Sequence, residues 1–320
     1  MRIGIVGPGS MGCFIAATLK YSGNDVFLVD YKSDRAEKLN ESGITLSDEK
    51  GRFNVKVPVV ADPLEIGNVD GLVFMVKAYS TYDAASRIAA VAKNDLWVLS
   101  MQNGMGNVEI LSNIFGEDKV IAGSTSQGAN LREFNFVNHA GRGETLIGEI
   151  SGERSDRVNR IAAMFTNSGI PAMATENVNG LLWTKLIINV GINPITALLR
   201  IKNGEIFNKP SAYELMRSAV IEAETVSKLK KVKLETPNIL ITVDEVIRRT
   251  SDNVSSMLQD VMKGNMTEIE YMSGYVNRQG NIVGIQTPVN QTLLRLVRAI
   301  NENERVEEDE WAIDVELNTN

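Results

Sequence analysis

Cysteine is almost absent from this sequence, and that scarcity excludes two kinds of site. The only cysteine, Cys13, cannot form an intrachain disulfide or build a cysteine-rich metal centre. We therefore expect a reducing compartment and no bound metal. Because Cys13 falls in a stretch of helical character, we expect a small packing residue rather than a reactive thiol.

Basic residues are also outnumbered. The 320 residues include 33 lysines and arginines against 40 acids, a net charge of −7, so no global field draws the chain to nucleic acid or anionic lipid. We find no apolar run as long as a membrane span, and the N-terminus becomes a strand at once instead of a signal peptide. We therefore expect a cytoplasmic protein with neither nucleic-acid nor membrane partners.

A glycine-rich turn is the most readable feature that is present. Residues 2–6 form an apolar strand, Gly7-Pro8-Gly9-Ser10-Met11-Gly12 follows it, and residues 13–20 have helical character. A second apolar strand at 26–29 ends on Asp30, 18 residues beyond the last glycine. A GxGxxG in this context is typical of a dinucleotide-binding fold.

Each glycine of the turn has its own task. Gly7 permits the tight turn, Gly9 lets the backbone approach a pyrophosphate, and Gly12 allows the helix to pack closely on the strand. The helix N-terminus then faces the phosphates. A glycine-rich turn without a ligand is the alternative, and the flanking strand, helix and acid disfavour it.

Strands and helices continue to alternate after this point. Apolar strands at 71–76 and 96–100 flank a helix at 82–92, and polar loops carrying Lys77 and Asn103 follow the two strands. The alternation predicts a Rossmann-type, doubly wound α/β domain. Ligands of such sheets bind beyond the carboxyl ends of the strands; a solvated lysine and a turn-forming Asn-Gly are the alternatives.

The pattern changes in the second half of the chain. Residues 120–124 read as another strand, and residues 141–144 read as a hairpin turn before a strand at 145–150. From Glu176 onward the pattern is almost wholly helical, and the acidic end from Asn301 is expected to be solvated and partly frayed. We predict a dinucleotide-binding domain at residues 1–176 and an all-α domain at residues 177–320.

A polar stripe marks the first helix of the second half. Lys185, Asn189 and Asn193 recur every fourth position in an apolar run, and on a helix such steps advance about 400°, so the three share one face. A helix that is apolar elsewhere belongs in the interior, where a lysine and two carboxamides are costly unless something binds them. Ligand binding and a purely structural polar network both satisfy this pattern.

Two later segments match the capping-box pattern. Helices starting after Ser256 and Thr267 would use those hydroxyls as caps. Glu268 is not needed for capping, although the helix dipole favours an acid in a first turn.

Together these segments resemble the ketopantoate reductase (2-dehydropantoate 2-reductase) family. Their order and rough spacing match from residue 1 to about residue 300. The segments that carry the resemblance are the glycine turn, Lys77-Ala78, Asn103-Gly104-Met105-Gly106, Lys185-Leu186-Ile187-Ile188-Asn189, Ile192-Asn193-Pro194-Ile195-Thr196-Ala197, Asn203-Gly204-Glu205, Ser255-Ser256-Met257-Leu258-Gln259-Asp260 and Thr267-Glu268-Ile269.

The resemblance implies a reduced nicotinamide cofactor, NADPH in most members, and a small 2-keto acid substrate. Lys185 would donate the proton, and Glu268 would close the site near both ligands. The implied cofactor contacts are Gly7, Pro8, Gly9, Ser10, Met11, Gly12, Asp30, Lys32, Lys77, Asn103, Ala129 and Glu268. The implied substrate contacts are Asn103, Lys185, Asn189, Asn193, Asn203 and Ser256.

The chemistry of the residues agrees with this assignment. Hydride reaching a ketone carbon drives charge onto the oxygen, and a positioned ammonium both stabilises that charge and supplies the proton. The only histidine, His139, precedes the Gly141 turn and lies outside the helical half, so we expect a packing or surface role for it. Lactate- and malate-type dehydrogenases use a histidine acid, which leaves lysine as the acid here.

One departure concerns the cofactor. The family often has a basic residue at the end of the second strand, where this sequence reads Asp30-Tyr31-Lys32. An acid there tends to accept a hydrogen bond from the ribose 2′-hydroxyl and to repel a 2′-phosphate. We therefore expect NADH to be used at least as well as in an enzyme of relaxed cofactor specificity. NADPH stays an alternative, because Lys32 offsets the charge of the acid.

Two other functions fit the same residues. A reductase of another branched 2-keto acid would keep the lysine stripe and differ around Glu268. A protein that senses NAD(P)H without turnover is the other, and it is disfavoured because Lys185 would have no role in it. A helical domain of this size often supplies a dimer surface, so a homodimer is a further expectation.

Overall fold

The computed structural model of the chain describes residues 1–49, 51–90 and 96–306. The chain divides into two compact units, one formed by Met1–Lys185 with Lys233–Glu235 and the other by Leu186–Val232 with Thr236–Asn320. This division falls inside one long helix. The domain boundary predicted between residues 176 and 177 stays a prediction.

The strands all lie in the first unit, within the described ranges. In chain order they are β1 (Arg2–Val6), β2 (Asp25–Val29), β3 (Ile44–Asp48), β4 (Gly51–Val55), β5 (Val59–Val60), β6 (Gly71–Phe74), β7 (Trp97–Ser100), β8 (Val120–Thr125), β9 (Gly128–Glu133), β10 (Phe136–Gly141), β11 (Thr145–Glu149) and β12 (Ala172–Ala174).

The helices occur in both units. In chain order they are α1 (Ser10–Tyr21), α2 (Ser33–Ser42), α3 (Thr81–Ala89), α4 (Asn107–Phe115), α5 (Asp156–Asn167), α6 (Val178–Leu199), α7 (Pro210–Leu229), α8 (Ile239–Arg249), α9 (Ser256–Met262), α10 (Ser273–Ile282) and α11 (Pro288–Val306). Single 3-10 turns interrupt the loops, and the two used below are Asn203–Ile206 and Ile269–Tyr271.

The main sheet confirms the predicted doubly wound α/β architecture. Its strand order is β12-β11-β8-β7-β6-β1-β2-β5, and the only antiparallel pair described in it joins β11 to β8. Ile3, Ile5 and Leu28 are fully buried, as expected for strands covered by helices on both faces. Helix α1 supplies much of that cover, packing Phe14 and Ile15 into the same core.

A second sheet was not predicted from the sequence. Its order is β4-β3-β10-β9, and β10 pairs parallel with β3 and antiparallel with β9. The prediction that residues 141–144 form a hairpin turn is therefore wrong. β10 belongs to the second sheet, whereas β11 pairs with β8 in the main sheet, so these residues connect two sheets.

The second unit is helical throughout its described residues. It contains most of α6 and helices α7 to α11. The first part of the acidic end is helical and not frayed, because α11 continues through Val306. The acids at 307–310 lie outside the described residues. Residues 91 and 92 of the helix predicted at 82–92 also lie outside them.

Helix α6 corrects one sequence-based expectation. It has 22 residues, and an 18-residue segment within it has a mean hydropathy of 1.3, so by length and composition it could cross a membrane. However, 67% of this segment is buried inside the protein, which is typical of the core helix of a soluble protein. It holds a lysine and three asparagines, and Pro194 lies within it.

Candidate functional site

The carboxyl ends of four parallel strands bring predicted residues to one edge of the main sheet. Val6 of β1, Phe74 of β6, Ser100 of β7 and Ala122 of β8 form one row of the sheet register. The residues three positions further along the chain from each of these are, in the same order, Gly9, Lys77, Asn103 and Thr125. Parallel strands end at a common edge, which is where doubly wound sheets bind ligands.

The glycine turn is built for close contact between backbones. Gly7 has φ 109°, and a Cβ there would lie 2.7 Å from the Val76 nitrogen. A Cβ on Gly12 would lie 1.9 Å from the Gly7 carbonyl oxygen, so helix α1 can start here only with glycine.

Gly9 is different from the other two glycines. A Cβ at this position would meet no atom within 4 Å, so the turn leaves open space beside Gly9 at the start of helix α1. An open backbone position before a helix N-terminus fits the pyrophosphate of a dinucleotide. The residues present thus suit the expected cofactor.

Hydrogen bonds and packing hold the remaining residues of the glycine turn in place. The Ser10 hydroxyl accepts a hydrogen bond from the Leu131 backbone nitrogen at 3.1 Å, which joins the turn to β9. Ala129 lies two residues earlier on the same strand, opposite His139 of β10. The Pro8 carbonyl accepts from the Cys13 thiol at 3.4 Å, and Met11 packs against the core.

Cys13 and His139 are packing residues, as predicted. Burial raises the pKa of the Cys13 thiol to about 12, which keeps it protonated and unreactive. His139 stacks on Phe14 with ring centres 4.4 Å apart, and its Nε2 lies 2.7 Å from Gln127 Oε1. Desolvation lowers the pKa of His139 and favours the neutral ring.

A buried polar network joins the Lys77 and Asn103 loops, and sequence reasoning missed it. Gln102 Nε2 donates to the Val76 carbonyl at 2.9 Å and to Thr81 Oγ1 at 2.7 Å. Thr81 Oγ1 donates to Asn107 Oδ1 at 2.8 Å, and Asn107 Nδ2 donates to the Asn103 carbonyl at 3.1 Å. These bonds fix both loops to each other.

Asp30 does not present an open carboxylate at the end of β2. Its side chain is fully buried, and Arg35 binds both oxygens through Nε and Nη2. The Lys32 backbone nitrogen also donates to Asp30 Oδ1 at 3.0 Å. The expectation that Asp30 accepts the ribose 2′-hydroxyl requires an accessible carboxylate, and that premise is wrong because Arg35 covers Asp30.

Lys185 lies at the same sheet edge as the glycine turn. It belongs to the first unit, its side chain is half-buried, and Nζ donates to the Thr125 carbonyl at 3.3 Å. The carbonyl is that of the last residue of β8, so the ammonium is held by the sheet and not by bulk water.

Apart from Asn103 of the first unit, the other predicted substrate contacts belong to the second unit. Asn189 is half-buried on α6, and the buried Asn193 donates from Nδ2 to the Met272 sulfur at 3.7 Å. Asn203 begins the turn Asn203–Ile206 and donates to Thr250 Oγ1 at 3.0 Å. Its Oδ1 is buried and has no hydrogen-bond partner among the described residues.

Both capping predictions need correction. Helix α9 begins at Ser256, but its cap is Ser255, whose hydroxyl accepts from the Leu258 nitrogen. Thr267 does not cap a helix either, because its hydroxyl accepts from Asn301 Nδ2 at 3.0 Å. The Ser256 side chain is therefore not used for capping. Glu268 is 4% exposed and precedes the turn Ile269–Tyr271.

Comparison with known proteins gives a consistent result. The family model described as ketopantoate reductase PanE/ApbA matches residues 3–152, and the model of its C-terminal domain matches residues 177–301. The 2-dehydropantoate 2-reductase of Archaeoglobus fulgidus is 34% identical over 93% of this chain and 97% of its own length.

Solved structures agree with these sequence matches. A PanE/ApbA family ketopantoate reductase from Ralstonia eutropha superposes with a TM-score of 0.89 at 28% identity, covering 95% of this chain and 100% of that one. D-mandelate dehydrogenase in complex with NADH and anilino(oxo)acetate gives 0.90 at 25% identity, covering 96% and 100%. By its fold and by both family models, the chain belongs to the ketopantoate reductase family of oxidoreductases.

Proposed function

We propose that this protein reduces 2-dehydropantoate (ketopantoate) to pantoate with a reduced nicotinamide dinucleotide, in the cytoplasmic synthesis of pantothenate and coenzyme A. The observation that carries the proposal is the placement of Lys185. Its ammonium lies at the edge of the sheet that also holds the open glycine turn, bonded to the Thr125 carbonyl. This is where a keto oxygen beside the nicotinamide would need a proton.

The cofactor, when bound, supplies hydride to the keto carbon. Lys185 then has two tasks, since its positive charge stabilises the developing alkoxide and its proton converts the alkoxide to a hydroxyl. The Thr125 carbonyl accepts from the ammonium at 3.3 Å and so orients its remaining N–H groups. Lys77 and Asn103 contact the cofactor, on loops that Gln102 holds together.

Substrate recognition is assigned to polar residues of the second unit. A buried carbonyl without a partner, such as Asn203 Oδ1, costs free energy that a hydroxyl donor on a ligand would recover. Asn189, Asn193 and Ser256 supply further amide and hydroxyl groups. Glu268 accepts a hydrogen bond from the distal hydroxyl of ketopantoate, and the ketopantoate carboxylate accepts one from the Ser256 hydroxyl.

The central experiment replaces the proposed proton donor. A Lys185→Ala enzyme should lose turnover by about 100-fold or more while its affinity for the cofactor, measured by fluorescence titration, stays the same. A Lys185→Arg enzyme keeps the charge but should also be slow, because guanidinium does not give up a proton near neutral pH.

Lys20→Ala is the control, since Lys20 lies on helix α1 of the first unit and has no proposed role. Near-normal turnover of the Lys185→Ala enzyme would remove lysine from the mechanism.

Reduction of another 2-keto acid is the second candidate. Its specific support is the likeness to D-mandelate dehydrogenase, whose structure holds a ligand with an oxoacetate group. Assays with ketopantoate, 2-ketoisovalerate and benzoylformate separate these candidates, because only ketopantoate has a hydroxyl for Glu268. A substantially higher kcat/KM for either of the other acids would replace the proposed substrate.

The third candidate is a protein that senses the cofactor and catalyses no reaction. It predicts that adding 2-keto acid leaves nicotinamide absorbance unchanged. Substrate-dependent loss of that absorbance excludes the sensor directly.

A further inference from the structure

We propose that the segment Lys233–Glu235, with Asn177 and Thr184 as its anchors, positions Lys185 for proton transfer by holding the first turns of helix α6 in the unit that carries the glycine turn. This inference rests on the proposed function, because it takes Lys185 as the proton donor. The segment and its anchors are not among the proposed contacts of cofactor or substrate.

Helix α6 is shared between the two compact units. Its residues up to Lys185 belong to the first unit, and those from Leu186 onward belong to the second. The segment Lys233–Glu235 also belongs to the first unit, although the chain on both sides of it belongs to the second. Three residues from the connection between α7 and α8 thus join the unit that contains the start of α6.

Asn177 fastens this segment to the start of α6. Its Oδ1 accepts a hydrogen bond from the Gly180 nitrogen at 3.2 Å, which caps the helix. Its Nδ2 donates to the Lys233 carbonyl at 2.8 Å and also to the Glu235 carboxylate. One side chain therefore caps the first turn of the helix and holds the segment beside it.

Thr184 is the second anchor, one residue before Lys185. Its side chain is buried, and its hydroxyl donates to the Gly180 carbonyl at 2.7 Å. The same hydroxyl oxygen accepts from the Glu235 backbone nitrogen at 3.0 Å. A bond to the carbonyl four residues back is common for threonine in helices, but the bond from Glu235 comes from a segment 51 residues away.

Gly180 lies between the two anchors and permits the close approach. A Cβ at this position would lie 2.0 Å from the Lys233 carbonyl oxygen and 2.4 Å from Asn177 Nδ2. Glycine inside a helix is destabilising relative to alanine, so helix formation alone does not favour it. The packing of the segment against the helix accounts for this glycine.

A defined turn leads the chain from α7 into the segment. Lys231 has φ 56°, a left-handed conformation that glycine usually adopts. The Val232 nitrogen donates to the Ser227 carbonyl at 3.0 Å, as in the Schellman motif that ends many helices. The direction in which the chain leaves α7 is therefore fixed immediately before Lys233.

The placement of Lys185 depends on the position of this part of the helix. Its Nζ donates to the Thr125 carbonyl at 3.3 Å, which is long for such a bond, so a small shift of the helix would break it. Misplacing a reacting group by about 1 Å can lower a rate by about 100-fold. We therefore expect the segment to control the rate of reduction and to leave the affinity for cofactor unchanged.

The experiment is a double-mutant cycle on the rate of nicotinamide oxidation in a single turnover with ketopantoate. Thr184→Val keeps the branched shape of the side chain and removes the hydroxyl. It should slow the reaction by about tenfold or more, with cofactor affinity unchanged in fluorescence titration. In a Lys185→Ala background it should cause no further loss, because the side chain through which it acts is gone. Thr184→Ser should restore most of the rate.

A second variant tests the same packing without removing a hydrogen-bonding group. Gly180→Ala should displace the segment and slow the reaction by a similar factor, again only when Lys185 is present. Thr225→Val is the matched control and should keep the wild-type rate. The Thr225 hydroxyl also donates to the carbonyl four residues back, at 2.7 Å, and it has no proposed role. Urea denaturation establishes that each variant is folded, and Gly180→Ala carries the test if Thr184→Val is not.

Three results would decide against the proposal. Wild-type rates in the folded Thr184→Val and Gly180→Ala proteins would show that the segment does not position the lysine. An equal loss with and without Lys185 would show a general structural role. A loss in Thr225→Val as large as that in Thr184→Val would have the same meaning. Near-normal turnover of Lys185→Ala alone would instead remove the proposed proton donor, which separates the two conclusions.

Discussion

At the edge of the main sheet, Gln102 bonds to Val76, Thr81 and Ser100 with all three side-chain bonds between 2.7 and 3.2 Å. In the helical unit, Asn193 donates to a thioether, and Asn203 buries an oxygen with no partner among the described residues. A satisfied network rigidifies its surroundings, whereas unsatisfied buried groups cost stability unless a ligand pairs them. We therefore expect the first region to be a support and the second to be a set of contacts reserved for substrate.

The largest expected effect tests the support. Gln102→Leu removes two donor bonds and one acceptor, and it leaves the partly buried Val76 carbonyl and the buried hydroxyls of Thr81 and Ser100 short of partners. The free energy of unfolding should fall by about 2–4 kcal/mol, measured by urea denaturation, and the affinity for cofactor should fall with it. Gln291→Leu on α11 is the control and should change stability little. Unchanged stability in Gln102→Leu would mean that the network is not a support.

The next effect tests the reserved contacts. Asn203→Leu keeps the branched shape of the side chain and removes both the unpaired oxygen and the nitrogen that donates to Thr250. Stability should change by less than about 1 kcal/mol, while the KM for ketopantoate should rise about tenfold. A large loss of stability with an unchanged KM would make Asn203 a structural residue and would remove the contrast between the two regions.

The smallest effect compares two adjacent serines. Ser255 caps α9 and accepts from Thr196 at 2.7 Å, so Ser255→Ala should lower the free energy of unfolding by about 1 kcal/mol. Ser256→Ala should leave the free energy unchanged and raise the KM for the keto acid. Each variant is the control for the other, and equal effects on stability would show that Ser256 also has a structural task.

The parts of this protein that sequence could predict depend on local patterns. The glycine turn, the buried strands and helix α6 are each specified by consecutive residues, and the structure confirms them. The four-stranded sheet was missed for two reasons. β3 and β4 alternate apolar and polar residues over only five residues each, which is a weak signal, and β3 pairs with a strand far along the chain.

The misses at the site have a different origin. Ser256 matches the capping box because Gln259 follows three residues later, whereas Ser255 has Leu258 at that position. Only the backbone conformation shows that Ser255 is the cap. In the sequence, Arg35 is an ordinary solvated arginine in the first turn of a helix. Only the structure shows that it pairs with the buried Asp30. The polar stripe of Lys185, Asn189 and Asn193, in contrast, could be placed on one helix because four-residue spacing requires no tertiary information. Contact of these residues with substrate stays a prediction.

The acceptor of Lys185 has a consequence for the order of folding. Thr125 and Thr145 are cross-strand partners whose hydroxyls lie 2.8 Å apart, and the chain between them leaves the main sheet to form β9 and β10 before it returns. That excursion is completed only when β10 pairs with β3, 91 residues earlier in sequence (Phe136 with Thr45). The segment that follows Thr125 is thus tied to one of the most distant strand pairings of its unit, and we expect truncation of the β9–β10 hairpin to impair the proposed proton transfer from Lys185.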